Sequence, residues 1–392
     1  MKTSVGVNSP RKRLFHIRAI SLSLGIALML GIAACGKKAS ESKKVPTDRS
    51  SAPKVETNLT FNDITLEQVD EKGQLVWVVQ GKQATYSSDR QQAAVKNPQG
   101  ELYRNGKLVF KIEAQEGEIH QNGEKILLKD KVIATDMRDG AVVRGDNLEW
   151  LPEKDTLTVS GNVQGTHKQA DVTAQEARLF GEQRRMELSG DAIMRAKESS
   201  LQIASDSMIW EMEQQMAMSD KPVQIDRYEG EGDAETVTDR AVADRAEVNL
   251  DTQVVTLEQN SQLTLVDPPV QIASNELTWD LPVERLTSNV PVRVVHNEQK
   301  ITLSGNSGWI DLAEEVFQLN DGIEAINQTN QAQLIANQLT WDIPTQEFVA
   351  EGDVTYRQVD PPLSVTGPRA QGQLQAQTFA ISGGRVTTEI VP

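Results

Sequence analysis

Cysteine is almost absent from these 392 residues: Cys35 stands alone, so no disulfide can form within one chain. Histidine is nearly as scarce. Beyond residue 34 there are three, His120, His167 and His296, scattered without the spacing of a metal site. Glycine-based catalytic motifs are missing too, with no G-x-S-x-G, Walker A or dinucleotide fingerprint. Acids are plentiful, so a glycosidase-like carboxylate pair stays open, but nothing marks one out. The sequence therefore reads as a scaffold or carrier, not an enzyme, with no cofactor and no metal.

A positive surplus is lacking as well. The first 34 residues hold five bases and no acid, and removing them leaves 35 Lys+Arg against 56 Asp+Glu, a formal charge of −21. That excludes nucleic acid and anionic membrane surfaces as partners of the main body, since both require basic patches. Beyond residue 40 no stretch sustains helical periodicity through three turns, which leaves β-structure.

What is present begins at the N-terminus. Lys2, Arg11, Lys12, Arg13 and Arg18 precede an uncharged run from Ala19 to Gly36. A basic segment, an apolar core and small residues form an export signal, and the basic end stays cytoplasmic. Ile32-Ala33-Ala34-Cys35 resembles a bacterial lipobox, which makes Cys35 the candidate lipid anchor. Eighteen uncharged residues also suffice for an uncleaved transmembrane helix, so both anchors remain open. Either way the rest of the chain crosses the membrane. We divide the chain into a signal or membrane segment (1–34), a polar Lys-, Ser- and Pro-rich tether (35–58) and two β-regions (59–227 and 228–392).

The β-regions repeat. A small residue, two polar positions and an apolar residue precede a large apolar anchor in Gly145-Asp-Asn-Leu148-Glu-Trp150, Ser205-Asp-Ser-Met208-Ile-Trp210, Ser274-Asn-Glu-Leu277-Thr-Trp279 and Ala336-Asn-Gln-Leu339-Thr-Trp341. Weaker copies place anchors at Tyr86, Ile119, Leu179, Val248 and Trp309. The spacing centres on about 31 residues, apart from 38 between Trp210 and Val248. A large side chain at one phase of every repeat is what stacked repeats need for their core. Between anchors, short alternating segments are separated by Gly, Asn or Asp turns, as at Gly161-Asn162 and Gly352-Asp353. The long spacing coincides with the acidic, Gly-rich stretch Asp226 to Glu235, read as a solvated connection at the boundary of the two regions. Its acids (Asp226, Glu229, Glu231, Asp233, Glu235) lack the order of a calcium loop.

The segment Leu59-Thr-Phe61 … Leu66, then Gly73-Gln-Leu75-Val-Trp77-Val-Val79, then Ala84-Thr-Tyr86 resembles the opening of the LptC family. Leu148-x-Trp150 and Thr158-Val-Ser-Gly161-Asn162-Val163 resemble its later parts, and the Gly-Asn-Val turn is shared with LptA and the periplasmic part of LptD. The resemblance covers 59–165, and the later repeats exceed the usual length, as in a long, cyanobacterial-type member with extra LptA/OstA-like repeats.

The resemblance implies an incomplete antiparallel β-jelly roll anchored at the periplasmic face of the inner membrane, extended here by the 31-residue repeats. It implies lipopolysaccharide as cargo, its lipid A acyl chains in an apolar groove. Implied partners are an ABC transporter of LptB, LptF and LptG type, and LptA-like or LptD-like jelly rolls that add by strand pairing. Groove candidates are Leu75, Trp77, Val79, Ala84, Tyr86, Leu148, Trp150, Leu157 and Val159. Docking-edge candidates are Phe61, Ile64 and Leu66 at one end, and Phe379 and Ile381 at the other. The competing reading is a structural envelope lipoprotein, its repeats acting as a spacer or adhesion rod.

Overall fold

The computed structural model describes residues 59–88, 90–120, 124–230, 235–373 and 378–389. The signal segment, Cys35 and the tether lie outside the described residues. So do the side chains of Phe379 and Glu389, and part of the acidic stretch, 231–234. The rest is all-β, as expected: 28 strands in one sheet, with the 3-10 turn Pro152–Lys154 the sole helical element among the described residues.

The sheet is an antiparallel meander. Leu59–Val69 pairs with Leu75–Tyr86, and each later crossing pairs with the one before and the one after. Some crossings are written as two strands, such as Lys107–Glu113 followed by Glu116–His120, which pair with successive parts of Ile126–Asp136. The ladder continues across residue 228, where Val223–Glu229 pairs with Thr236–Ala243.

One residue from every crossing lines up in a single row. It runs Leu59, Tyr86, Ala93, Ile119, Ile126, Trp150, Leu157, Leu179, Met186, Trp210 and Ala217. It continues through Val248, Val255, Trp279, Leu286, Ile310, Phe317, Trp341, Phe348, Gly372 and Phe379. Twenty of these twenty-one are apolar side chains, which explains the period: one repeat is one hairpin, and every second crossing ends on an anchor. A second row occupies the other half of each crossing, through Leu66, Val79, Gly100, Ile112, Ala134, Val143, Gly165, Val172, Met194, Ile203 and Ile225, apolar but for its two glycines. It goes on through Ala241, Leu263, Ile272, Val294, Leu303, Ala325, Leu334 and Tyr356. Most members of both rows belong to one buried core.

Trp309 corrects the reading of the repeat. It is half-buried on the opposite face of its strand, with the Arg285 guanidinium 4.5 Å from its ring centre, while Ile310 takes the core position at 2% exposure. Counted through Ile310, the spacings from Trp279 to Trp341 become 31 and 31 instead of 30 and 32. Asp226 is a second correction. It is not solvated but 4% exposed, and accepts a hydrogen bond from Arg240 Nε at 2.7 Å. The extra residues behind the spacing of 38 lengthen the hairpin between Val223–Glu229 and Thr236–Ala243.

The Gly/Asn/Asp "turns" do not reverse the chain. Gly161 and Asn162 (φ +78° and +49°) sit inside the strand Thr156–Thr166. Similar left-handed pairs lie inside other strands at Asp130-Lys131, Gly190-Asp191, Gln259-Asn260, Asp321-Gly322 and Gly352-Asp353. Two consecutive positive-φ residues shift the ladder and bend the strand, as a β-bulge does. Asn162 Nδ2 donates to Asp146 Oδ2 of the neighbouring strand at 2.7 Å, fixing the bend. At Gly161 a Cβ would lie 2.6 Å from that Asp146 oxygen, so any side chain there would push Asp146 out of the contact that fixes the bend.

The bend brings the two ends of the crossings together. An eleven-residue strand spans about 35 Å when extended, yet the turns at its opposite ends touch those of other crossings. Asp155, at the start of Thr156–Thr166, is ion-paired with Arg104, whereas His167, just past its end, packs on Trp210 with ring centres 5.2 Å apart. The sheet is therefore doubled over along the bulges, with both apolar rows inside and two rims of turns meeting along a seam.

Candidate functional site

The groove candidates fall inside this doubled sheet. Tyr86, Trp150 and Leu157 belong to the first row, and Ala84, Leu148 and Val159 to the next row on the same half. Val79 lies in the row of the other half, and Trp77 is aligned beside it with Leu102 and Phe110. The structure thus brings eight of the nine onto the inner faces, all but Leu75, and it packs most of them tightly. Trp77, Val79, Ala84, Leu148, Trp150, Leu157 and Val159 are at most 5% exposed, while Leu75 and Tyr86 are half-buried.

Free interior space appears farther along the chain, where sequence reasoning placed no site. A cavity of about 420 Å³ lies between Leu339, Trp341 and Phe348 of one half and Leu303, Leu334 and Tyr356 of the other. Towards the N-terminus, a separate pocket between Ile272, Leu286, Val294, Ile310 and Phe317 holds only about 10 Å³. Asp360 is the one charged residue lining the larger cavity among the described residues, and the rest of its polar lining is uncharged. His296, 5.8 Å from the Trp341 ring, is held below the usual histidine range by burial, partly offset by the charge of Glu298, and so stays neutral at pH 7. The signal for this cavity was the concentration of Trp341, Phe348 and Tyr356 near the C-terminus.

The seam was also missed. One of its contacts joins Arg184 on one rim to Asp136 and Asp139 on the other. Arg184 Nη1 donates to Asp136 Oδ2 at 2.8 Å, and its Nη2 donates to Asp139. Arg138 closes the cluster by donating to Asp136 Oδ2 at 2.6 Å and to the Gly181 carbonyl at 2.7 Å. His167 Nε2 is 3.5 Å from Asp139 Oδ2. Burial lowers the His167 pKa, partly offset by the Asp139 carboxylate. For Asp139, burial pushes upward, but the Ala141 amide and the Arg184 guanidinium together hold the carboxyl below its usual range. Farther along, Gln169 donates to Gln215 and Gln299 to Gln346 across the seam, and the Arg227 guanidinium lies 5.7 Å from the Trp279 ring centre. The partners are 45 to 48 residues apart at Arg184–Asp139, Gln169–Gln215, Gln299–Gln346 and Arg184–Asp136, about one and a half repeats.

The outermost strands leave one edge unpaired among the described residues. At one end, Leu59–Val69 exposes Phe61 (49%), with Ile64 and Leu66 half-buried. Phe61 meets Tyr86 edge-on at 5.8 Å. At the other, Thr378–Ser382 and Thr387–Glu389 pair only with Leu363–Gln373, and Ile381 packs against the core. No helix of the described residues is long and apolar enough to cross a membrane.

No curated protein is similar enough to match this chain. A family profile does match: "Lipopolysaccharide-assembly, LptC-related", over residues 25–163 and 159–238. That span is more than half of the 392 residues and extends well past residue 165, where the resemblance of individual motifs ends. With the doubled antiparallel sheet behind it, the chain belongs to the LptC family, a component of lipopolysaccharide transport.

Proposed function

We propose that this protein carries lipopolysaccharide away from an inner-membrane ABC transporter of the LptB, LptF and LptG type, towards the outer membrane. The observation that carries this reading is the pair of apolar rows inside the doubled sheet, one continued through every crossing. Apolar inner faces suit acyl chains, while the acidic outer surface leaves sugars in water. Twenty strand-to-strand steps of about 4.8 Å give a path along the sheet of about 95 Å. On this reading the N-terminal edge at Phe61, Ile64 and Leu66 meets the transporter. The far edge, with Phe379 and Ile381, adds an LptA-like or LptD-like jelly roll by strand pairing.

A photo-crosslinking amino acid at 77, 86 or 150 is expected to capture lipopolysaccharide in living cells. Folded protein with capture at none of these positions, and none at 341 in the C-terminal cavity, would overturn the reading. A second reading, a β-repeat spacer rod, draws support from the tight packing around Trp77, Leu148 and Val159, and that same experiment separates the two. The regions 59–227 and 228–392 would act as one carrier, since the ladder passes from one to the other without a break.

The anchor is proposed to be an acylated Cys35 on the periplasmic face of the inner membrane. Two or more acyl chains hold a protein firmly, at about 0.8 kcal/mol per buried CH₂. Cys35→Ala is expected to block processing and raise the apparent mass. Unchanged mass with full membrane retention would point to an uncleaved helix instead.

A further inference from the structure

Two kinds of bond hold the doubled sheet, and they are distributed unequally. Along each rim, turns are tied to neighbouring turns through the backbone. On one rim Met212 N donates to Arg184 O (3.0 Å) and Leu250 N to Gln215 O (2.7 Å). On the other, Lys197 N donates to Gln169 O (2.9 Å) and Gln328 N to Lys300 O (2.9 Å). Across the seam the described residues show no backbone-to-backbone hydrogen bond. The rims meet there through side chains: the Arg184–Asp136–Asp139–Arg138 cluster, the Arg104–Asp155 ion pair, two glutamine pairs and aromatic contacts.

That difference sets where the fold yields. Separating two crossings would orphan a whole ladder of buried amides and carbonyls, at about 1–3 kcal/mol for each unsatisfied group. Parting the seam exposes carboxylates, guanidinium groups and amides, for which water substitutes well, so much of what is lost is returned as hydration. Space points the same way. Around Leu148, Trp150, Leu157 and Val159 the interior is filled by its own side chains, and the pocket between Ile272, Leu286 and Phe317 holds only about 10 Å³. Space of that size holds no acyl chain unless the packed side chains move. Entry from the side needs only the rims to part, and no backbone-to-backbone hydrogen bond among the described residues opposes it.

We propose that the seam is a lateral gate, at which the two rims part to admit an acyl chain sideways, with the Arg184 cluster as its latch. The gate rests on the carrier reading above. In it Arg184 is a positioning residue. It holds Asp136 and Asp139 of the opposite rim until the rims separate, after which the three groups are solvated and the inner rows are accessible. The cavity at Trp341 needs no such opening, since it already has room.

The test bridges the gate. In the full chain with Cys35→Ser, Gln169→Cys and Gln215→Cys are joined by a short bismaleimide, and a photo-crosslinking phenylalanine analogue is placed at 150 or at 341. The protein is then exposed to lipopolysaccharide micelles. Bridging is expected to lower capture at 150 at least tenfold and to leave capture at 341 unchanged. Single-cysteine proteins given the same reagent should behave as the unbridged form. Thermal unfolding of the bridged protein shows that its fold is intact. Undiminished capture at 150 after bridging overturns the gate, as does capture at 341 alone in the unbridged protein, and in both cases the carrier reading stands. Capture at neither position in either form overturns the carrier reading and the gate with it.

Discussion

Arg184→Ala is expected to destabilise the protein by about 3–5 kcal/mol, far more than the loss of an ordinary surface ion pair. The basis is what is left behind. Asp136 is 4% exposed, and in the variant it keeps only Arg138 from its own rim. Without Arg184 two carboxylates of low exposure, Asp136 and Asp139, share the single guanidinium of Arg138, and that undercompensated charge dominates the loss. Exposed pairs lose about 0–1 kcal/mol by comparison. Adding Asp136→Asn to Arg184→Ala should recover part of the loss, because it removes the charge that the first substitution strands. Urea midpoints of the single and double variants decide the matter. A loss under about 1 kcal/mol would make the cluster a surface ornament, with no latch in it.

The pH dependence follows from Asp139. Its folded pKa lies below the unfolded value of about 3.9. A depressed carboxylate contributes stability that is fully present above the unfolded pKa and is lost as pH falls through the folded one. Burial raises this carboxyl, and the Ala141 amide and Arg184 outweigh it, so removing Arg184 removes part of the depression. The difference between wild type and Arg184→Ala should therefore be largest near neutrality and shrink below about pH 4. His167 adds to the trend in the same direction: burial holds it neutral in the fold, so protonating it at low pH works against the native state.

Much of this architecture was legible in the chain. Alternation in runs of about five gave the strands, and the recurrence of large apolar residues gave the hairpin period, because register turns one sequence phase into one spatial row. The bend was not legible. Gly161-Asn162 carries the same residues that close a hairpin, and what distinguishes a bulge is that the strand continues on the far side with its ladder shifted. The seam was hidden for a different reason. Its partners are about one and a half repeats apart, so Arg184 and Asp136 share neither a motif nor a phase, and only the stagger of the doubled sheet pairs them. The packed state of the groove candidates was likewise invisible, since a residue facing a filled core and one facing an empty trough have the same pattern.

The sharpest contrast should come from two tryptophans one repeat apart. Trp279→Ala is expected to destabilise by about 3–5 kcal/mol, the range for deleting a buried aromatic and leaving a cavity. Its ring is fully buried, paired with Val255 and Leu286 in the row that passes through every crossing. Trp309→Ala should lose no more than about 1 kcal/mol, mainly its contact with the Arg285 guanidinium. The core position in that crossing belongs to Ile310, and Ile310→Ala should behave like Trp279→Ala, at about 2–5 kcal/mol. Because each crossing pairs only with its neighbours and otherwise meets crossings about one and a half repeats away across the seam, as Trp279 meets Arg227, the damage from Trp279→Ala should stay within that distance. Hydrogen exchange ought to accelerate from about residue 254 to 296 and remain slow near Trp150. Equal losses at 279 and 309 would return Trp309 to the core and undo the register assigned to Ser307–Asp311. A fall at 279 alone ties the period of the sequence to a continuous apolar row, the feature on which a carrier and a rod alike depend.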